Sequence, residues 1–148
     1  MTVDPVLPPA VRAVFDDCPA PARAGLMLLR RMILARAADL PMIGRVTEAL
    51  RWGQPAYLTP DTGAGCSLRI GPVPGAGFGL FVQCQTGLIE AFVDGPGAGL
   101  RRQGNRAVLF GAADAVPEVV DVLIGWALTY HLARKGGRLE RVNEVNVS

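Results

Sequence analysis

From residue 56 to residue 110 the chain alternates short apolar runs with clusters of glycine and proline, and that alternation leaves few folds open. The runs are residues 56–59, 67–70, 79–83, 88–93 and 106–110, rich in β-branched and aromatic side chains. The separators are residues 60–65, 71–77, 85–87 and 95–104. A parallel crossover usually carries a helix, and no helical stretch lies between these closely spaced runs. The pattern therefore predicts an antiparallel meander of about five strands. Gln85-Thr86-Gly87 is the shortest link, so residues 79–83 and 88–93 are expected to form a hairpin.

The flanks read as helices. Residues 9–15 suit a short one. In residues 22–38, Leu26, Leu29, Ile33 and Ala37 recur at three- and four-residue spacing and mark one buried face. Arg23, Arg30, Arg31 and Arg36 are expected to lie on or snorkel toward solvent. Residues 42–50 read as a second, shorter helix, closed by Trp52-Gly53 and barred from continuing by Pro55. A long final helix starts near Asp114–Pro117, carries Val116, Val119, Leu123, Trp126 and Tyr130 inward, and ends at Gly136-Gly137. The expected fold is α+β: one domain over residues 1–148 with its core at about 22–135, N-terminal helices and one long C-terminal helix packed on the sheet. Residues 1–21 form a Pro-rich lead and residues 136–148 a tail.

At 148 residues the chain can bury roughly 70% of its unfolded surface without a metal or disulfide staple. Half of it is hydrophobic and 19% is charged, which argues against disorder. Net charge is +2 and the pI about 8.6, short of the concentrated basic character of nucleic-acid domains, so no nucleic-acid partner is expected. Arg30 and Arg31 interrupt the most apolar helix, so no membrane partner is expected either. Cys18, Cys66 and Cys84 are odd in number and form no C-x-x-C, which fits reduced thiols and a cytoplasmic location.

Chemistry-bearing patterns are sparse. His131 is the single histidine, and no ligand set at zinc or EF-hand spacing accompanies it. No metal site, catalytic residue or cofactor is predicted. The glycine-rich stretches at 75–79 and 95–99 lack the Gly-Lys-Ser/Thr of a phosphate loop and read as turns. Arg51, Arg69 and Arg106 lie in or beside strands. Converging with Trp52, Tyr57, Gln83 or Thr86, they would make an anion-binding or stacking pocket; the alternative is that each is a strand-edge charge or pairs with Glu48, Glu90 or Asp94. Cys84 is either a thiol activated by a nearby arginine or a simple inward-facing residue.

The segment EALRWGQPAY, residues 48–57, resembles the E-x-x-x-W-G-x-P-x-Y signature of the YdhG-like family, a domain of unknown function. The helix around Leu29–Ile33, the segments 81–86 and 104–107, and the closing helix through residues 127–131 are similar to it too. The resemblance spans roughly residues 22–135 and implies an α+β fold with an antiparallel sheet. Some members are described as frataxin-like iron chaperones, which hold iron on an acidic helix and strand edge. Here the main N-terminal helix carries four arginines and no acid before Asp39, so iron stands on family analogy alone and no ligand is assigned.

The signature has two readings. Trp52 and Tyr57 pin helix to sheet, or they rim a pocket. The expected function is a small binding module rather than an enzyme, for a small anion or a protein partner. Its candidate contacts are Trp52, Tyr57, Arg69, Cys84, Thr86 and Arg106. A frataxin-like role in iron delivery is the alternative. A homodimer is compatible with a sheet face that so few helices leave uncovered.

Overall fold

The first two helices open on proline, whose missing N–H falls where a helix has no partner for it. They are α1 (Pro9–Asp16) and α2 (Ala20–Ala38) in a computed structural model that describes residues 6–75, 77–111 and 115–132, the Cys84 side chain excepted. Val11 and Phe15 of α1 are buried, as are Ala22, Leu26, Leu29 and Ile33 of α2. Gly25 on the same helix lets the backbone approach the Phe78 ring so closely that a β-carbon would meet it at 2.1 Å.

Residues 42–50 are not a helix. A short 3₁₀ turn at Pro41–Ile43 leads to strand β1 (Thr47–Arg51), which pairs antiparallel with β2 (Gln54–Leu58). The turn between them is Trp52-Gly53, with φ of 56° and 73°. Two central residues with positive φ twist the chain in the sense that two antiparallel strands require. Trp52-Gly53 thus joins a hairpin, where a helix end was expected. Glu48 and Leu50 then point to one face of the sheet, and Thr47, Ala49 and Arg51 to the other.

Strands β3 (Leu68–Val73) and β4 (Gly77–Val82) follow, then helix α3 (Leu88–Val93). The expected hairpin of residues 79–83 with 88–93 does not form. Leu88, Ile89 and Phe92 of α3 are buried, a one- and four-residue spacing that only a helix presents together. Phe92 meets Trp126 edge-on at 6.2 Å. Strand β5 (Arg101–Gln103), inside a stretch read as a separator, pairs with β6 (Ala107–Phe110). The final helix starts later than expected: α4 spans Val120–Leu128, and residues 130–132 are again helical. Its expected end at 134–137 and the tail at 136–148 lie outside the described residues.

Among the described residues the sheet is antiparallel with six strands, one more than expected, in the order β1-β2-β3-β4-β6-β5. The fold is α+β, as the order of helices and strands predicts. Tyr57, Leu68, Ile70, Leu80, Val82 and Val108 face the helices and are fully buried. Helix α2 crosses β3 and β4, α1 covers β1 and β2, and α4 packs on α2 and β3. The other face carries Gln54, Arg69, Gly71, Phe81 and Ala107, and among the described residues no helix lies on it. No helix of the described residues is long and apolar enough to cross a membrane.

Candidate functional site

Part of the 48–57 segment serves the core. Arg30 does not snorkel outward: it is 2% exposed, and its Nε donates to Glu48 Oε2 at 2.6 Å while Nη2 donates to Oε1 at 2.9 Å. The Tyr57 hydroxyl donates to the same Oε2 at 2.7 Å. Arg30 Nη2 also reaches the Val6 carbonyl at 3.3 Å, tying down the segment before α1. Burial and the adjacent Glu48 carboxylate push the Tyr57 hydroxyl pKa far up. A buried charge demands such a partner set. Glu48 and Tyr57 therefore belong to the helix side of the sheet.

The other end of the segment does the opposite. Trp52 is 86% exposed at the tip of the β1–β2 turn. The expectation that it pins helix to sheet is thus overturned for Trp52, while Tyr57 does make that connection. From Trp52 an open depression of about 460 Å³ runs across the sheet, lined by Trp52, Gln54, Arg69, Phe81, Val82, Gln83, Gln103 and Arg106. Strand alternation builds its floor: Gln54 of β2, Arg69 of β3 and Phe81 of β4 all point away from the helices. Arg69 pairs with Phe81 across the strands, and its guanidinium sits over the Phe81 ring at 5.7 Å from the centroid. Arg69 Nη1 donates to Gln54 Oε1 at 2.8 Å.

The electrostatics of the depression are lopsided. Among the described residues no carboxylate lies within ion-pair distance of Arg69 or Arg106. Glu48, one acid that could have served, is committed to Arg30. Arg69 Nε is buried without an acceptor among the described residues. Burial, and then the neighbouring charge of Arg106, hold the Arg69 guanidinium below its ordinary pKa. It stays charged at neutral pH, because a guanidinium loses its proton only far above that. Two cations and an exposed indole beside a ring of glutamines can bind an anion and stack on a flat surface.

Of the expected contacts, Trp52, Gln83, Arg69 and Arg106 come together in the depression, and Tyr57 and Thr86 do not. The Thr86 hydroxyl donates to the Gln83 carbonyl at 2.7 Å and accepts from the N–H of Leu88, the first residue of α3, at 3.1 Å. The Cys84 side chain lies outside what the structure describes. Cys18 and Cys66 are buried free thiols; burial raises both pKa values, that of Cys66 to about 12, which leaves neither as a nucleophile at neutral pH. Among the described residues no group of three or more His, Cys, Asp or Glu side chains is placed to hold a metal ion. Gln54, Phe81 and Gln103 went unforeseen. Gln103 sits on a strand with no apolar residue, and Phe81 in an apolar run with no polar alternation to tell its faces apart.

No family model, curated protein or solved structure matches the chain. The likeness of residues 48–57 to the YdhG-like signature therefore rests on those residues alone.

Proposed function

We propose that this chain is a small binding module whose ligand is an anion held at Arg69 and Arg106 on the uncovered face of the sheet. The observation that carries the reading is the pair of guanidiniums lining one depression with no described carboxylate beside them. Uncompensated cations are costly to hold near each other, and a ligand that supplies the missing charge recovers that cost. Arg69 is also held in place by the Phe81 ring and the Gln54 amide, so little side-chain freedom is left to lose on binding. Two buried free thiols support a reducing, cytoplasmic setting.

A thermal-shift titration with inorganic phosphate, sulfate and small carboxylates tests it. Saturable stabilisation is expected, about 2.7 kcal/mol at 100 times the dissociation constant. Arg69→Gln with Arg106→Gln should abolish it. Stabilisation that survives both substitutions, or none with any anion, would overturn the reading.

A further inference from the structure

The chemical class of the anion can be read from what stands around the two arginines. The inference rests on the anion-binding reading above and adds charge, shape and a second recognition element to it.

Charge comes first. Arg69 and Arg106 together present two positive charges, close enough for Arg106 to perturb Arg69. A carboxylate or a phosphate diester supplies one negative charge. A phosphate monoester supplies about 1.5 to 2 at neutral pH, together with three acceptor oxygens. The monoester therefore matches the site where the others leave a surplus.

Shape comes second. Trp52 is held out in solvent on a backbone with φ of 56°, a conformation that β-carbon-bearing residues adopt at a cost of about 1–2 kcal/mol. The turn does not need tryptophan; asparagine, aspartate or glycine suit it better. The core does not need it either, because the indole is 86% exposed. Strain and apolar exposure without a structural return are found where a residue meets a ligand. An indole face offers a flat ring about 1–3 kcal/mol of stacking per base.

Position comes third. Trp52 stands at the β2 end of the depression and Arg106 at the β5–β6 end, with Arg69 between them. From β2 to β6 is three strand spacings, about 14 Å. The ligand must then be elongated, with its charge toward one end and its ring toward the other. Gln54 and Gln83 line the path between, and Gln103 stands at the Arg106 end, where their amides can meet hydroxyls or the edge of a base.

We propose that the depression binds a phosphate monoester carried on a flat heteroaromatic ring, the chemistry of a nucleoside monophosphate, with the phosphate at Arg69 and Arg106 and the ring on Trp52. The same chemistry occurs at the phosphorylated end of a nucleic-acid strand, and the test separates the two sources.

Calorimetric titration of the full chain with adenosine 5′-monophosphate, adenosine, ribose 5-phosphate and inorganic phosphate decides it. The monophosphate should bind at least tenfold more tightly than each of the other three. Trp52→Ala should remove the advantage of the monophosphate over ribose 5-phosphate while leaving inorganic phosphate unchanged. Arg69→Gln should remove the advantage over adenosine. Both side chains lie outside the core, so both variants should fold, as circular dichroism would verify. A short single strand with a 5′-phosphate that outbinds the free nucleotide would identify the strand end as the source; the reverse would identify the nucleotide.

Arginine-dependent binding of inorganic phosphate with no gain from the ring would overturn this inference and leave the anion site standing. Adenosine binding as tightly as its monophosphate would overturn both. A strand without a terminal phosphate that binds as tightly as the phosphorylated one would overturn the monoester.

Discussion

Glu48 and Tyr57 face each other across β1 and β2, and the tyrosine hydroxyl donates to the same carboxylate oxygen that accepts from Arg30 Nε. One carboxylate thereby joins a helix and two strands beneath the sheet. Four residues further along β1, the chain turns at a tryptophan that touches none of this.

Breaking the buried pair from one side should be severe. Arg30→Met or Glu48→Leu alone leaves a charge buried without its partner, which costs about 3–5 kcal/mol. The double variant should lose markedly less than the sum of the two. Urea denaturation of all three, analysed as a double-mutant cycle, checks this. Additive losses would mean that the pair is more exposed than its 2% and 8% side-chain accessibilities state.

Stability should fall in alkali before any arginine titrates. The Cys66 thiol rises from 9.0 to about 12 in the folded protein, so between those values the unfolded chain releases its proton first. Its contribution is fully present below pH 9 and is lost as pH climbs toward 12, by about 1.4 kcal/mol per pH unit. Tyr57, also raised from 10.0, adds to the slope above pH 10 with the same sign. Denaturation midpoints at pH 8, 9, 10 and 11 should show the decline. Cys66→Ala should lessen the slope from pH 9 upward, and Tyr57→Phe should lessen it only above pH 10.

Trp52→Asn should leave the fold intact and stabilise it by up to about 1 kcal/mol, because asparagine followed by Gly53 suits two central residues of positive φ. The same change should weaken any ligand that stacks on the indole. A loss of more than about 1 kcal/mol in urea would mean that the indole packs against the protein after all.

Gly25→Ala should destabilise although alanine favours helix by about 1 kcal/mol. The new β-carbon would stand 2.1–2.7 Å from three Phe78 ring atoms, and that ring stacks on Phe110 at 5.1 Å between centroids. Overpacking of this kind costs about 1–3 kcal/mol, so a net loss in thermal denaturation is expected. Gly25→Ala with Phe78→Leu should recover part of it.

The helices α1 and α2 and strands β2, β3, β4 and β6 were legible in the sequence because each has enough apolar side chains to declare a period. The failures have physical causes. Residues 88–93 have strand-like composition, and six residues are too few for propensity to outweigh the burial of Leu88, Ile89 and Phe92 on one helical face. Residues 47–51 are held as a strand by a partner that begins three positions beyond their end and by Arg30, eighteen positions before Glu48. Arg101–Gln103 has three exposed polar residues, and only its pairing with β6 makes it a strand. At the site, Trp52, Arg69, Gln83 and Arg106 were expected together. Tyr57 was expected with them because it sits five residues from Trp52, yet strand alternation turns it to the opposite face.

Strand β3 carries a consequence for how this protein can change over generations. Leu68 and Ile70 are fully buried, and Arg69 between them opens onto the depression. Interior and ligand surface are written on alternate positions of one strand. Substitutions on the outward set can therefore revise what is bound while the hydrophobic interior stays as it is. A single inserted or deleted residue is another matter, since it exchanges the two sets and carries a guanidinium into the core. A lineage of such proteins would drift freely in the residues of this face and hold the strand's length fixed.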